Sequence, residues 1–174
     1  ATRVSQDPSQ VYHEAEMAFQ AEDWDKAIEL FNAILAEHHK YQESAALKKQ
    51  AVANRALEQT FREGESAYLE RDWGKAIDVL NHLHRTNATF RADEVGDILC
   101  DAYLQRGQAQ LANQPEGLDE NSITDAIEDF EAGLAICPGD QSLTTQQTYA
   151  ASLLVALEAQ ESGDFDAVVQ ELVP

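Results

Sequence analysis

Two cysteines, Cys100 and Cys137, have the clearest potential for covalent chemistry in this chain. If one helix ends near Ala112 and the next begins near Ser122, both cysteines lie at nearly the same height of an antiparallel helix pair. A disulfide between them is then geometrically possible. The alternative is two small buried residues in a reduced core. Neither cysteine has a basic or histidine neighbour in sequence that would lower its thiol pKa, so a nucleophilic thiol is not expected.

Histidines and acidic residues are the next candidates, as metal ligands. Four of the five histidines form two pairs, His38-His39 and His82-x-His84. Residues one or two apart on a helix point in different directions, unlike the i,i+4 pairs of zinc sites. We predict that these side chains meet the carbonyl ends of helices instead. The acidic run at Asp119 to Asp125 lacks the central glycine and terminal glutamate of a calcium loop, so no metal site is expected.

Other motifs of catalysis are missing from the sequence. It contains no glycine-rich phosphate loop, no paired-cysteine zinc spacing, no HExxH and no nucleophile elbow. We therefore expect no enzyme activity and no cofactor. No run of 18 apolar residues and no signal-peptide pattern occurs, so direct membrane insertion is not expected. The start at Ala1 and an apolar pattern reaching the last residues suggest a processed protein or a fragment of a longer one.

The charge of the chain is strongly acidic. It has 32 acidic and 12 basic residues, for a formal net charge of −20. From Gly107 to Pro174 it contains no Lys or Arg, but it has 13 Asp and Glu. Such a surface repels phosphate, which argues against nucleic acid and anionic lipid as partners. It attracts basic peptides, basic protein surfaces and divalent cations, and it also serves simply to keep a protein in solution.

An internal repeat organises the chain. Residues 22–30 and 71–79 align without a gap and share Asp-Trp-x-Lys-Ala-Ile, and looser copies run from Thr124 to Phe130 and from Gly163 to Val169. An aspartate before an aromatic residue and an apolar pair is typical of an N-cap followed by a core-facing helix. In the third copy we place the cap in Ser122-Ile123-Thr124-Asp125.

Each repeat copy follows another amphipathic segment, so the sequence predicts alternating A and B helices, eight in all. The predicted A helices run from Val11 to Phe19, Ala45 to Tyr68, Val95 to Leu111 and Tyr149 to Leu157. A polar insertion from about Ala112 to Asn121 separates the third A helix from its B helix. The predicted fold is all-α, with about four antiparallel helix pairs.

This pattern resembles the tetratricopeptide repeat (TPR) family over nearly the whole chain. The small residue of the family's A helix matches Ala15, Gly64 and Gly107. The B-helix signature matches Trp24, Ala27, Phe31, Trp73, Ala76, Leu80, Ala126, Phe130 and Pro138. The family period is about 34 residues, and these repeats are longer because the second A helix is extended and the third pair carries the insertion. The approximate repeats 8–40, 42–88, 91–139 and 141–174 form one predicted domain, 1–174.

The resemblance implies a right-handed superhelical α-solenoid whose inner face consists mainly of A helices. Such a face binds an extended peptide or a partner helix, so it implies a non-catalytic protein-interaction module that serves as a scaffold or regulatory domain. One subtype grips a C-terminal carboxylate with basic A-helix residues. Here only Arg106 is available in the third A helix, and the fourth has none. The expected partner is therefore a protein or peptide that is basic or helical.

The two tryptophans admit two interpretations. Trp24 and Trp73 are either exposed anchors for a partner or packing residues between the A and B helices. Their identical place in the repeat favours packing.

A structural role is the alternative function. Long-period arrays of this kind look like those of bacterial membrane-linked signalling proteins, so the chain is alternatively a spacer or homo-oligomerisation domain of a larger protein. The last repeat leaves Val168, Val169, Leu172 and Val173 without cover, which favours contact with more chain or with a partner at the C-terminal end, a homodimer being one such partner. The compartment stays open between cytoplasmic and extracytoplasmic, and a Cys100–Cys137 disulfide would favour the second.

Overall fold

The fold is all-α throughout residues 7–41, 43–112 and 119–162, which are the ranges that the computed structural model describes. They form seven helices: α1 (Pro8–Gln20), α2 (Trp24–Glu37), α3 (Ser44–Leu69), α4 (Trp73–Thr86), α5 (Ala92–Ala112), α6 (Glu120–Ile136) and α7 (Gln141–Ser162). No strand occurs in these ranges, so the predicted all-α class is confirmed for them. The helix expected after Asp164 and the uncovered residues Val168 to Val173 lie outside the described residues.

The chain divides into two compact units, with the boundary between Thr60 and Phe61 inside α3. The first unit contains α1, α2 and the beginning of α3. The second contains the end of α3 together with α4 to α7. None of the helices in the described ranges is long and apolar enough to cross a membrane.

Aspartates begin the two B helices of the best-matched repeats, as the sequence predicts. The carboxylate of Asp23 accepts a hydrogen bond from the backbone N–H of Lys26 at 3.2 Å. Asp72 accepts the equivalent bond from Lys75 at 3.1 Å. Each carboxylate satisfies an N–H group that has no partner within the helix.

The start of α6 differs from the sequence prediction. The helix begins at Glu120, and its N-cap is Asp119. The Asp119 carboxylate accepts hydrogen bonds from the backbone N–H of Ser122 at 3.0 Å and from the Ser122 hydroxyl at 2.8 Å. These bonds lower the pKa of Asp119. Ser122 is thus a donor inside the first turn, and the predicted cap at Ser122 was placed three residues too late.

The start of α7 also differs, because this helix begins at Gln141 and not near Tyr149. Asp140 caps it by accepting a hydrogen bond from the backbone N–H of Leu143 at 2.9 Å. Gly139, with a φ of 102°, makes the turn that precedes the cap. The first two turns of α7 are polar apart from Leu143, so apolar periodicity alone located the start too late.

The corner before each of the first two B helices has a left-handed residue that is not glycine. Glu22 has a φ of 57° and Arg71 a φ of 62°. They occupy the same place in the repeat, directly before the capping aspartates. The structural equivalence of the two corners therefore extends to their backbone conformation.

The core of the first unit lies between α1, α2 and the first part of α3. Its buried residues are Val11, Tyr12, Ala15, Ala18, Ala27, Phe31, Ile34 and Ala51. The ring of Tyr12 lies 6.1 Å from that of Phe31, and the ring of Phe19 lies 5.3 Å from that of Trp24. Tyr12, early in α1, thus packs on Phe31 in the middle of α2, whereas Phe19, late in α1, packs on Trp24 at the start of α2. The two helices are therefore antiparallel.

The second unit has a cluster built from α5, α6 and α7. Its buried residues are Cys100, Ile123, Ala126, Phe130, Leu143 and Ala150. Helices α5 and α6 are antiparallel, because Cys100 of α5 meets Cys137 after the end of α6, whereas the later residue Gly107 meets the earlier residue Phe130.

Small residues let the large B-helix side chains reach the neighbouring A helix. A Cβ on Gly64 would lie 2.5 Å from Leu80 Cγ, and a Cβ on Gly107 would lie 2.5 Å from Phe130 Cε1. Real Cβ atoms do not approach carbon atoms so closely. Both glycines are therefore required by packing, at the positions where the sequence places the small residue of the A helix.

We expect Gly107→Ala to lower the free energy of unfolding by about 1–3 kcal/mol, which is typical of an overpacked core. Replacing glycine with alanine inside a helix usually raises the free energy of unfolding by up to about 1 kcal/mol, so the expected change has the opposite sign. Gly96→Ala, also in α5, is the matched control, since its new Cβ would lie 3.9 Å from Ile136 Cγ2. Urea denaturation of the two variants should give opposite shifts. Equal stabilisation by both would contradict the close approach of Phe130.

Candidate functional site

The alanines of the repeat signature and their large B-helix partners lie in the core and not on a binding surface. Ala27, Ala76 and Ala126 are fully buried, and so are their helix partners Phe31, Leu80 and Phe130. Pro138 is exposed, two residues after the end of α6. These residues hold neighbouring helices together, so a site must be sought elsewhere.

The two tryptophans pack at the helix corners. The Trp24 ring stands edge-on to Phe19, and the Trp73 ring stands edge-on to Tyr68 with centroids 5.5 Å apart. Both tryptophans are half-buried. The structure thus places them between an A and a B helix, the packing alternative of the sequence analysis.

The cysteines form a disulfide that joins α5 to the residue following α6. The Cα atoms of Cys100 and Cys137 are 6.3 Å apart. Cys100 is buried, while Cys137 is half-buried and ends α6 with its backbone N–H bonded to Gly133 O at 2.9 Å. The bond fastens one end of the α5–α6 pair.

A charged pair lies in the middle of the same two helices. Arg106 of α5 donates to Asp129 of α6 in a two-pronged arrangement, with Nε 2.8 Å from Oδ2. The side chain of Asp129 is only 6% exposed, whereas that of Arg106 is 34% exposed. This hydrogen bond raises the pKa of Arg106. Arg106 is thus already bound, so it is not available as the basic residue of a carboxylate clamp.

A shallow groove between α5 and α7 is lined almost entirely by uncharged polar side chains. Its volume is about 350 Å³. It is lined by Leu104, Gln105, Gln108, Gln141, Ser142, Thr145 and Gln146. We call these residues the amide groove. Four of the seven are glutamines, and none carries a charge.

The α5 wall of the amide groove is held by a network that reaches α3. Gln105 Nε2 donates to Asp101 Oδ1 at 3.3 Å. Asp101 Oδ2 also accepts a short hydrogen bond of 2.6 Å from the hydroxyl of Tyr68. This bond, with a smaller contribution from burial, raises the pKa of Tyr68. Asp101 therefore fixes both a ring of α3 and an amide of the groove.

The α7 wall of the amide groove is formed by the first turns of that helix, where one lining hydroxyl bonds to the helix backbone. Thr145 Oγ1 donates to the carbonyl of Gln141 at 2.7 Å. The O–H group of Thr145 is therefore engaged as a donor, but its oxygen can still accept a hydrogen bond from a ligand. The spacing of Gln141, Ser142, Thr145 and Gln146 puts all four on one face of α7.

The chemistry of the amide groove is hydrogen bonding without charge. A glutamine amide both donates and accepts, which matches the alternating N–H and C=O groups of an extended backbone. The groove has no nucleophile and no acid–base pair. Within the described ranges, no group of three His, Cys, Asp or Glu side chains could hold a metal ion.

The chain matches no protein-family model, no curated protein and no solved structure. Its own geometry is therefore the basis for the functional argument.

His38 and His39 lie at the end of α2. His39 Nδ1 lies 2.8 Å from the carbonyl oxygen of Leu35 in the last turns of α2. His38 follows the end of α2, with its ring 6.0 Å from that of Tyr41. For His38 and His39 the structure thus gives the helix-end placement that the sequence predicts.

Sequence reasoning missed the amide groove. It identified no residue of α7 before Tyr149, because it searched for apolar periodicity. The available signal was the polar pattern itself. Glutamine, serine and threonine recur at helical spacing from Gln141 to Gln146, and no charged residue interrupts them.

Proposed function

We propose that this chain is a non-catalytic TPR-like α-solenoid that binds an extended peptide segment of a partner protein in the amide groove. The observation that carries the proposal is the lining of that groove by four glutamine amides and two hydroxyls. Such a lining can hydrogen-bond a peptide backbone at several points.

The partner we propose is neutral or basic. The whole chain has a net charge of −20 and no basic residue after Arg106. An acidic peptide would therefore be repelled from α6 and α7, and a peptide with Lys or Arg would be attracted. The Arg106–Asp129 pair supports this proposal, because Arg106, the last cationic residue of α5, is already bound to Asp129 and would not attract an acidic peptide.

We also propose that the chain works in an oxidising compartment. The Cys100–Cys137 disulfide supports this, because such bonds persist outside the cytosol and are rare within it.

Selection of a displayed library of random twelve-residue peptides against the full chain tests peptide binding. We expect enriched peptides with neutral or basic residues, and we expect Gln108→Ala/Gln146→Ala to weaken their binding about thirtyfold through loss of two hydrogen bonds of about 1 kcal/mol each. The matched control is Gln50→Ala/Gln59→Ala, which removes two exposed glutamines of α3. Binding that is equally insensitive to both double variants would reject the amide groove as the site.

Light scattering on the same samples separates this proposal from the structural alternative. A monomer that retains peptide binding supports an interaction module. A dimer that persists in high salt, with no peptide enriched, would instead support a spacer or homo-oligomerisation domain and would overturn the proposal.

A further inference from the structure

A second cleft of the same unit, away from the amide groove, combines an apolar floor with acidic walls. It lies where the end of α4, the start of α5 and the end of α6 meet, and its volume is about 400 Å³. Its apolar lining includes Gly96, Leu99 and Ile136, and its polar lining includes the carboxylates of Asp93 and Asp97 and the imidazole of His84 at the end of α4. We call this the acidic cleft.

The floor of the acidic cleft is the side chain of Ile136, which is partly exposed to solvent. Ile136 is 36% exposed although most of the large apolar residues of α6 are covered. Ile136 lies opposite Gly96 of α5. Because glycine has no side chain, α5 does not cover Ile136 at that point. An alkyl chain laid in this cleft would cover Ile136, which is favourable because apolar surface leaves water.

The walls of the acidic cleft carry two carboxylates beside the imidazole of His84. Asp93 and Asp97 lie four residues apart on α5, so they are neighbours on one helix face and repel each other. Among the described residues neither forms an ion pair. The nearby Arg91 instead binds Glu94 at 2.8 Å and lies 5.1 Å from the centre of the Phe61 ring.

The end of α6 adds negative potential at the same place. Ile136 is the last residue of this helix, and Cys137 follows it in the lining. The C-terminal end of a helix carries a partial negative charge from its unpaired carbonyl groups. The start of α5, whose first turn contains Asp93, carries the opposite partial charge. The two carboxylates therefore provide most of the attraction for a positive group in the cleft.

We propose that the acidic cleft is a docking pocket for the side chain of a Lys or Arg residue on a partner protein. The alkyl stem would lie on Ile136 beside Gly96, and the charged head would lie between Asp93 and Asp97. This ligand fits both properties of the cleft, since a metal ion would leave the apolar floor uncovered and an apolar side chain would leave the carboxylates repelling each other. The proposal does not depend on peptide binding in the amide groove.

Nuclear magnetic resonance of the full chain tests the acidic cleft with a defined probe, the blocked tripeptide acetyl-Gly-Arg-Gly-amide. We expect saturable shifts of the backbone amide signals of residues 93–97 and 134–137. The same tripeptide with citrulline, which is neutral and nearly the same shape as arginine, should bind about tenfold more weakly, because exposed charge pairs contribute up to about 1 kcal/mol each.

Two double variants with the same change in net charge complete the test. Asp93→Asn/Asp97→Asn should weaken the arginine tripeptide about tenfold, and its fold should be retained because the change removes a repulsion. Asp125→Asn/Glu128→Gln, on the exposed face of α6, should change the affinity less than twofold. No saturable shift, equal binding of citrulline, or equal loss in both variants would overturn the proposal. Shifts at residues 104–108 and 141–146 instead would assign the probe to the amide groove.

Discussion

Replacing Arg106 with leucine should lower the free energy of unfolding by about 3 kcal/mol. The substitution leaves the carboxylate of Asp129, 6% exposed, without its guanidinium partner. Removing one partner of a buried ion pair costs about 3–5 kcal/mol, because the remaining charge stays desolvated. The lower part of that range applies here, since Arg106 is 34% exposed and its departure gives water some access to the site.

A surface pair in the first unit is the matched control. Arg55 and Asp25 lie 2.9 Å apart, but their side chains are 40% and 81% exposed. Arg55→Leu should therefore cost less than about 1 kcal/mol. Arg106→Leu/Asp129→Asn should recover at least half of the loss caused by Arg106→Leu, because the buried charge is then gone. Urea denaturation measures all three, and equal small effects of the two single variants would contradict a buried role for Asp129.

Reduction of the disulfide should have an effect of similar size. The bond joins residues separated by 37 positions. Closing a loop of that length restricts the unfolded chain and stabilises the fold by about 4 kcal/mol in the chain-entropy account. We expect a reducing agent to lower the unfolding midpoint of the natural chain in urea, with the loss coming from the second unit.

The variant Cys100→Ala/Cys137→Ala is the control for reduction. It should be less stable than the oxidised chain and should not respond to the reducing agent. Titration of thiols in the denatured protein should find none before reduction and two after it. Two free thiols in the untreated protein, or identical stability with and without reductant, would refute a stabilising disulfide.

The helices of this protein follow closely from its sequence where a cap and an apolar stripe coincide. Asp23 and Asp72 begin their helices because a short carboxylate satisfies the first free N–H groups, and this requirement is local. The small residues Gly64 and Gly107 were also predictable, since the repeat alignment places each one opposite a large B-helix residue. Local chemistry and repetition together therefore determine most of the helical pattern.

The features that escaped prediction depend on contacts between helices. Arg106 was recognised as the only cation available to a clamp, but its partner Asp129 is 23 positions away. A signal existed, because Asp129 lies beside Phe130 and three residues after Ala126, on the face of α6 that points to the core. The left-handed conformations of Glu22 and Arg71 were hidden as well, since glycine usually marks that conformation and neither corner contains one.

The Cys100–Cys137 bond has a consequence for the order of folding. Both sulfurs belong to one pair of helices that are neighbours in sequence, so their encounter needs only a short chain closure and no residue from α7. Contacts between elements that are neighbours in sequence need less loop closure than contacts between distant ones. The bond can therefore form before α7 has packed, and α7 then completes its contacts on a pair of helices that is already cross-linked.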